Sequence, residues 1–231
     1  MLLLPFDRLP RAFQCAEVKQ YYDILDKKRM SLCLKRVTDI VLSLLMIIVL
    51  LLPMAVIAVI VKATSKGPVL YKQERVTTYG KRFRIWKFRT MTVGADHAGA
   101  LVTSAHDNRI TGVGATLRKF RLDELPQVFH VLSGKMSFVG TRPEVVKYVE
   151  RYTPAMTATL LMPAGITSLA SIRFKDEDVM IGDVSDPQEV DRIYVEEILP
   201  KKMEYNLQYI SRFGFRRDIY LMASTFKHVI S

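Results

Sequence analysis

Cysteine is nearly absent from this chain. Its 231 residues include two, Cys15 and Cys33, and neither stands in a CxxC or Cys/His spacing. That excludes a disulfide framework or a zinc-finger type of site and suits a reducing compartment. Acidic side chains are also in short supply: 23 Asp and Glu face 34 Lys and Arg, leaving a formal net charge of +11. The imbalance points to an anionic partner, and phospholipid headgroups, nucleotide diphosphates and nucleic acid all qualify. No internal repeat or low-complexity tract is present, so solenoid and compositionally disordered classes drop out. A secretory signal is not expected either, because the apolar stretch Met1–Phe6 is short and no cleavage pattern follows it. A chain of this length accommodates one well-buried domain plus an appendage.

The most informative absence is local. From Ile40 to Val61 (IVLSLLMIIVLLLPMAVIAVIV) there is no charged side chain, and this run accounts for much of the 49% hydrophobic content. As a straight helix it reaches about 33 Å, enough to cross a hydrocarbon core. Each Leu, Ile or Val adds roughly 0.3 to 0.6 kcal/mol of insertion free energy, so the segment is predicted to lie in the membrane. Lys27, Lys28, Arg29, Lys35 and Arg36 precede it, and Lys62, Lys66, Lys72 and Arg75 follow. Positive charge marks the cytoplasmic side, and here both flanks carry it. Pro53, just past the middle, removes a helix hydrogen bond and bends the axis. A bent helix that enters and leaves by one face satisfies both facts. A single span with a tolerated proline is the alternative, and it requires the basic N-terminal segment to cross the bilayer.

The chain thus divides into an interfacial arm, 1–34, a membrane-embedded segment, 35–66, and a globular domain, 67–231. In the arm, Leu2–Leu4, Phe6 and Phe13 precede a helical stretch Glu17–Arg29 carrying Tyr21, Tyr22 and Leu25, a composition suited to the membrane surface. In the domain, Val69–Arg75 and Phe83–Met91 read as strands joined by a turn at Tyr79-Gly80. A polar loop spans Thr92–Asn108. Helical patterns follow at Val113–Phe120, Leu125–Leu132, Pro143–Tyr152, Gln188–Leu199, Lys201–Ile210 and Asp218–Ile230. The expected class is α/β, helix-dominant.

Three segments carry candidate chemistry. Lys81–Arg89 interleaves cations with aromatics, which suits a nucleic-acid platform, a diphosphate grip by Lys87 and Arg89 on one strand face, or a merely solvated or lipid-facing strand. Arg118–Gln127 reads RKFRLDELPQ. Its Leu122-Asp123-Glu124-Leu125-Pro126 resembles a helix start in which Asp caps, but adjacent carboxylates also suit a nucleophile and an acid/base partner. Arg118 and Arg121 supply charge that would help keep Asp123 ionised. Ser133–Glu144 is a glycine-bounded turn and strand, in which Pro143 opens a helix as an anion seat or merely makes a tight connection.

Taken together, the segments resemble the monotopic phosphoglycosyl transferase family, bacterial sugar transferases acting on polyprenyl phosphate. The likeness runs through Lys35-Arg36…Asp39, Gly67-Pro68, Tyr71-Lys72-Gln73, Lys87-Phe88-Arg89-Thr90-Met91, Asp107-Asn108-Arg109-Ile110-Thr111, Leu122–Gln127, Gly134-Lys135-Met136-Ser137, Arg142-Pro143 and Pro163–Thr167. It implies that Asp123 attacks a UDP-sugar, that Glu124 assists with protons, and that Mg2+ near Asp123 neutralises the diphosphate. It further implies phosphate contacts from Lys87, Arg89, Arg118 and Arg142, with Gln127 in the substrate site. A re-entrant helix built on Lys35, Arg36, Asp39 and Pro53 would set the domain on the cytoplasmic face of the inner membrane. The implied partners are a UDP-sugar, polyprenyl phosphate and membrane lipids, not nucleic acid; a homodimer stays open. The rival outside enzymes is a membrane-tethered nucleic-acid or partner-binding module. Thr77-Thr78, His130, Thr141 and Leu169-Ala170-Ser171 depart from the family pattern and bear on which sugar fits.

Overall fold

The computed structural model describes residues 3–94, 108–174, 180–181, 184 and 186–230, with side chains through 225. Asp107 and most of the polar loop expected at Thr92–Asn108 lie outside the described residues.

Helix α1 (Ala16–Asp26) leads into α2 (Arg29–Thr64), a 36-residue helix that continues through Pro53. Its two faces differ. Leu32, Lys35, Asp39, Ser43, Met54 and Val61 are buried, and Met46, Ile47, Leu50 and Ile57 pack partly against the domain. Spacing of three and four residues places these on one stripe running the length of the helix. Val41, Leu44, Leu45, Ile48, Val49, Leu51, Leu52, Val56 and Val59 are exposed on the remainder.

Strands β1 (Leu70–Val76) and β2 (Arg82–Phe88) form an antiparallel hairpin in register Leu70↔Phe88 to Val76↔Arg82. Tyr79 (φ 58°) and Gly80 (φ 75°) supply the left-handed turn. Helix α3 (Gly112–Lys119) is capped by Thr111, whose hydroxyl accepts from the Gly114 amide. A short 3-10 segment, Leu122–Gln127, runs into α4 (Val128–Leu132). Strand β3 (Met136–Val139) pairs in parallel with β4 (Ala164–Thr167), with two short helices, α5 (Val146–Val149) and α6 (Pro154–Thr157), between them. Beyond β3 the backbones approach closely: a Cβ on Gly165 would lie 2.2 Å from the Gly140 amide nitrogen. Helices α7 (Leu169–Arg173), α8 (Pro187–Ile193), α9 (Leu199–Ser211) and α10 (Phe215–Ile230) complete the helix-dominant fold.

Two expectations are corrected. The apolar side chains of the arm go inward: Leu3, Leu9, Phe13, Val18, Tyr22 and Leu25 join Leu161, Tyr209, Ile210 and Phe213 in the main core. The Lys28 ammonium donates to the Phe213 carbonyl, and Leu4 donates to the Tyr79 hydroxyl. Composition suited an interface, but the core offers these rings more contact area. Second, Pro143 opens no helix. Residues 141–145 are non-helical and α5 begins only at Val146, so no helix terminus faces an anion there.

Candidate active site

The site forms where the 3-10 segment packs on β2. Arg121 enters it in the left-handed conformation (φ 56°), and neither acidic side chain caps it. Both are buried, Asp123 and Glu124 at 7% exposure each. The capping reading therefore fails, and the two carboxylates have separate surroundings.

Glu124 is held by two cations. Its Oε1 accepts from Lys87 Nζ at 2.9 Å and from Arg142 Nη2 at 2.5 Å, and Oε2 lies 3.4 Å from Arg142 Nη1. Burial pushes this carboxyl up, but the charges and hydrogen bonds of Arg142 and Lys87 outweigh it and hold Glu124 well below the usual carboxylate range. A carboxylate held there stays an acceptor, engaged by both cations. Glu124 fixes Lys87 and Arg142 side by side, so that two positive charges share one anion. Burial beside Arg142 also lowers the Lys87 ammonium, with Glu124 working the other way.

Asp123 makes no hydrogen bond or ion pair with a described residue. Burial raises its carboxyl above the ordinary value; Lys87, Arg118 and Arg142 oppose the rise and Glu124 adds to it. Lys87 is the leading opposing charge, not the Arg121 that sequence proximity suggested. Arg118 donates through Nε to the Thr90 hydroxyl at 2.9 Å, and Gln127 is buried with an unpartnered Nε2.

Other predicted residues lie elsewhere. Arg89 does not share a site with Lys87; its guanidinium grips the C-terminal end of α2, bonding the Ser65 carbonyl and hydroxyl at 2.7 Å each and the Pro68 carbonyl. Lys35, Arg36 and Asp39 bind the domain through the other end of α2. Lys35 donates to Asp218 and to the Val139 carbonyl at 2.7 Å each, Arg36 to the Val131 and Leu132 carbonyls, and Asp39 accepts from the Phe138 amide at 3.2 Å. The aromatics of β2 do not form a stacking platform: Phe83 and Phe88 are buried, and Trp86 packs on Phe129 and His130. His130 is structural, its Nε2 accepting from the Trp86 amide at 3.1 Å, and burial with nearby Lys135 lowers its pKa to about 4. Sequence reasoning missed the buried partners Asp218, Glu144, Tyr194 and Lys202. The last three form one network, in which Tyr194 and Lys202 both bond Glu144. No local pattern marks them.

A buried carboxylate with no hydrogen bond among the described residues, beside a paired cation clamp, is a setting for phosphoryl chemistry. A family model described as bacterial sugar transferase matches residues 30–231. The chain belongs to that family. A UDP-glucose:undecaprenyl-phosphate glucose-1-phosphate transferase of Klebsiella pneumoniae is 37% identical over 199 residues, covering 84% of this chain and 40% of the relative. A UDP-N-acetylgalactosamine-undecaprenyl-phosphate N-acetylgalactosaminephosphotransferase of Aeromonas hydrophila is 32% identical over 201 residues, covering 86% of this chain and 44% of the relative. An exopolysaccharide production protein of Rhizobium leguminosarum bv. phaseoli is 38% identical over 151 residues, covering 62% of this chain and 76% of the relative. The chain spans less than half the length of the Klebsiella and Aeromonas relatives. The family match takes in both the long apolar helix α2 and the carboxylate pair, so the resemblance read from the motifs stands.

Proposed function

We propose that the chain transfers a sugar 1-phosphate from a UDP-sugar to polyprenyl phosphate through a phosphosugar held on Asp123. The observation that carries this reading is the pairing of a buried Asp123, hydrogen-bonded to none of the described residues, with a clamp in which Glu124 aligns Lys87 and Arg142. An oxygen of Asp123 attacks the β-phosphorus, the bond from that phosphorus to the bridging oxygen breaks, and UMP leaves with the electron pair. A polyprenyl phosphate oxygen then attacks the same phosphorus and frees Asp123. Lys87, Arg118 and Arg142 would stabilise the charge that builds on the phosphoryl oxygens. Glu124 keeps two of those cations apart from Asp123, so that the nucleophile is not neutralised by a contact ion pair. The relatives' names support the donor and acceptor classes.

Among the described residues no cluster of three or more His, Cys, Asp or Glu side chains forms. One unengaged carboxylate suits magnesium, which binds through one or two carboxylates and completes its shell with substrate phosphates and water. Asp123 would hold it, and the ion would offset diphosphate charge.

The same reading makes the protein monotopic. The arm before α2 and the domain after it share one hydrophobic core, and a shared core cannot straddle a bilayer. The apolar window of α2 has mean hydropathy 3.3 and is 11% buried, unlike the core helix of a soluble protein. We place its exposed face in lipid, both ends on one side, with the site at the cytoplasmic surface. UMP release from a panel of UDP-sugars, with polyprenyl phosphate and magnesium, tests the reaction. Wild-type turnover by Asp123→Asn would remove the nucleophile assignment.

A further inference from the structure

Residues 87–90 run past four features in succession. Lys87 meets Glu124 at 2.9 Å. Phe88 packs with Met54 and Val61 of α2 and Leu117 of α3. The Arg89 guanidinium reaches the last turn of α2, with Nη2 at 2.7 Å from both Ser65 oxygens and 3.4 Å from the Val61 carbonyl, and Nη1 on the Pro68 carbonyl. The Thr90 hydroxyl accepts from Arg118 at 2.9 Å, and its carbonyl accepts from the Thr111 amide that precedes α3. Of the cations that act on Asp123, Lys87 therefore stands two residues before Arg89 and Arg118 is seated on Thr90, the residue after it.

Arg89 is itself poorly placed for a substrate. It is 5% exposed, and among the described residues its partners are neutral oxygens gathered at the negative end of a long helix. A planar fork with several donors matches such a fan of acceptors, which a lysine cannot reproduce. The joint also requires Gly67, where φ is +121° and an added Cβ would lie 2.6 Å from Arg89 Nη1 and 2.6 Å from Val93 Cγ2.

We propose that Arg89 is a positioning residue, tying the end of the membrane helix to the strand that carries Lys87 and to the Thr90 seat of Arg118. It makes no contact with the donor phosphates. Its effect is to hold the cations at a fixed depth relative to the bilayer in which the acceptor phosphate sits. The inference rests on the phosphoglycosyl transferase reading for its kinetic consequences and on the geometry alone for its structural ones.

The test uses the full chain in bilayers, with Arg89→Ala, Arg89→Lys, Gly67→Ala and the double variant Arg89→Ala/Gly67→Ala. Arg89→Ala and Gly67→Ala should each lower kcat by about tenfold or more with KM for the UDP-sugar nearly unchanged, since small misplacements of catalytic groups act on the transition state. The double variant should be no worse than the singles, as expected for two lesions of one joint. Arg89→Lys should fall between. Trp86 is the single tryptophan and lies one residue from Lys87, so acrylamide quenching of its fluorescence should rise in both single variants. Should Gly67→Ala fail to accumulate, Ser65→Ala removes one bond of the joint and should move kcat and quenching the same way. A tenfold rise in KM at unchanged kcat in Arg89→Ala would mean a direct donor contact and overturn the proposal. Wild-type kinetics in Gly67→Ala, or unchanged Trp86 quenching in Arg89→Ala, would overturn it as well. If the unmodified protein releases UMP from no UDP-sugar, the reaction reading fails, and the quenching result still decides whether the joint exists.

Discussion

Asp123 and Glu124 are neighbours in sequence with opposite stability consequences. Raising the Asp123 carboxyl means its favourable contribution is present below the ordinary carboxylate range and is lost as pH rises through the elevated folded value. Burying it ionised at pH 7 thus opposes folding. Asp123→Asn is expected to lose transfer by on the order of a thousandfold or more while its thermal midpoint at pH 7 stays level or rises. Glu124 behaves the other way: its contribution is present above the ordinary carboxylate range and is lost as pH falls through the depressed folded value. Glu124→Gln removes the anion that Lys87 and Arg142 share, and should lower both turnover and stability, the latter by about 2 kcal/mol in urea unfolding. His130 adds an acid limb. With its folded value near 4 and the ordinary imidazole value at 6.5, stability should decline as pH drops through that window. His130→Asn should flatten that limb in denaturant midpoints measured at pH 7 and pH 5; an unchanged slope would locate the titration elsewhere.

At the scale of elements, α2 is held at both ends. Lys35 and Asp218 lie 183 residues apart in sequence, yet form a buried pair joined by the Tyr209 hydroxyl at 2.9 Å from Asp218. Breaking one side leaves a buried charge alone. Lys35→Met is therefore expected to cost about 3 kcal/mol in detergent-solubilised protein, and Lys35→Met/Asp218→Leu to recover much of that. If the double variant is no better than the single, the pair is not the fastening that joins α2 to α10. Substitutions on the exposed face should act differently: Ile48→Asp is expected to leave unfolding in detergent unchanged and to abolish flotation with vesicles.

For the whole molecule, the shared core of arm and domain makes a topological prediction. Cysteines introduced at Arg11 and Lys66, both exposed and on opposite sides of α2 in sequence, should be labelled from the cytoplasmic side alone in intact and permeabilised cells. Reagent reaching position 11 from outside would require a full span and would dismantle the core that Leu3, Phe13 and Leu25 build with Leu161 and Tyr209. On the proposed reading, the arrangement would let one site serve a water-soluble donor and a lipid acceptor. Lys87 stands on β2, Arg118 on α3 and Arg142 just after β3, and β2 is tied to the end of the helix we place in lipid.

The long apolar helix, the β1–β2 hairpin, the helix-dominant class and the family motifs were all legible in the sequence. Each rests on local order: a charge-free run, a two-residue alternation, a left-handed turn at Tyr79-Gly80, short motifs in series. Arg89 and Glu144 show where local order ends. Arg89 stands two residues from Lys87 and serves a different structure. Glu144 lies within an expected helix but is non-helical, buried and bonded to Tyr194 and Lys202. Which carboxylate stays unengaged among the described residues, which cations it faces, and that the arm packs into the domain's core were decided only by tertiary packing. Desolvation and ion pairing depend on neighbours brought from tens to nearly two hundred residues away, and no spacing along the chain encodes them.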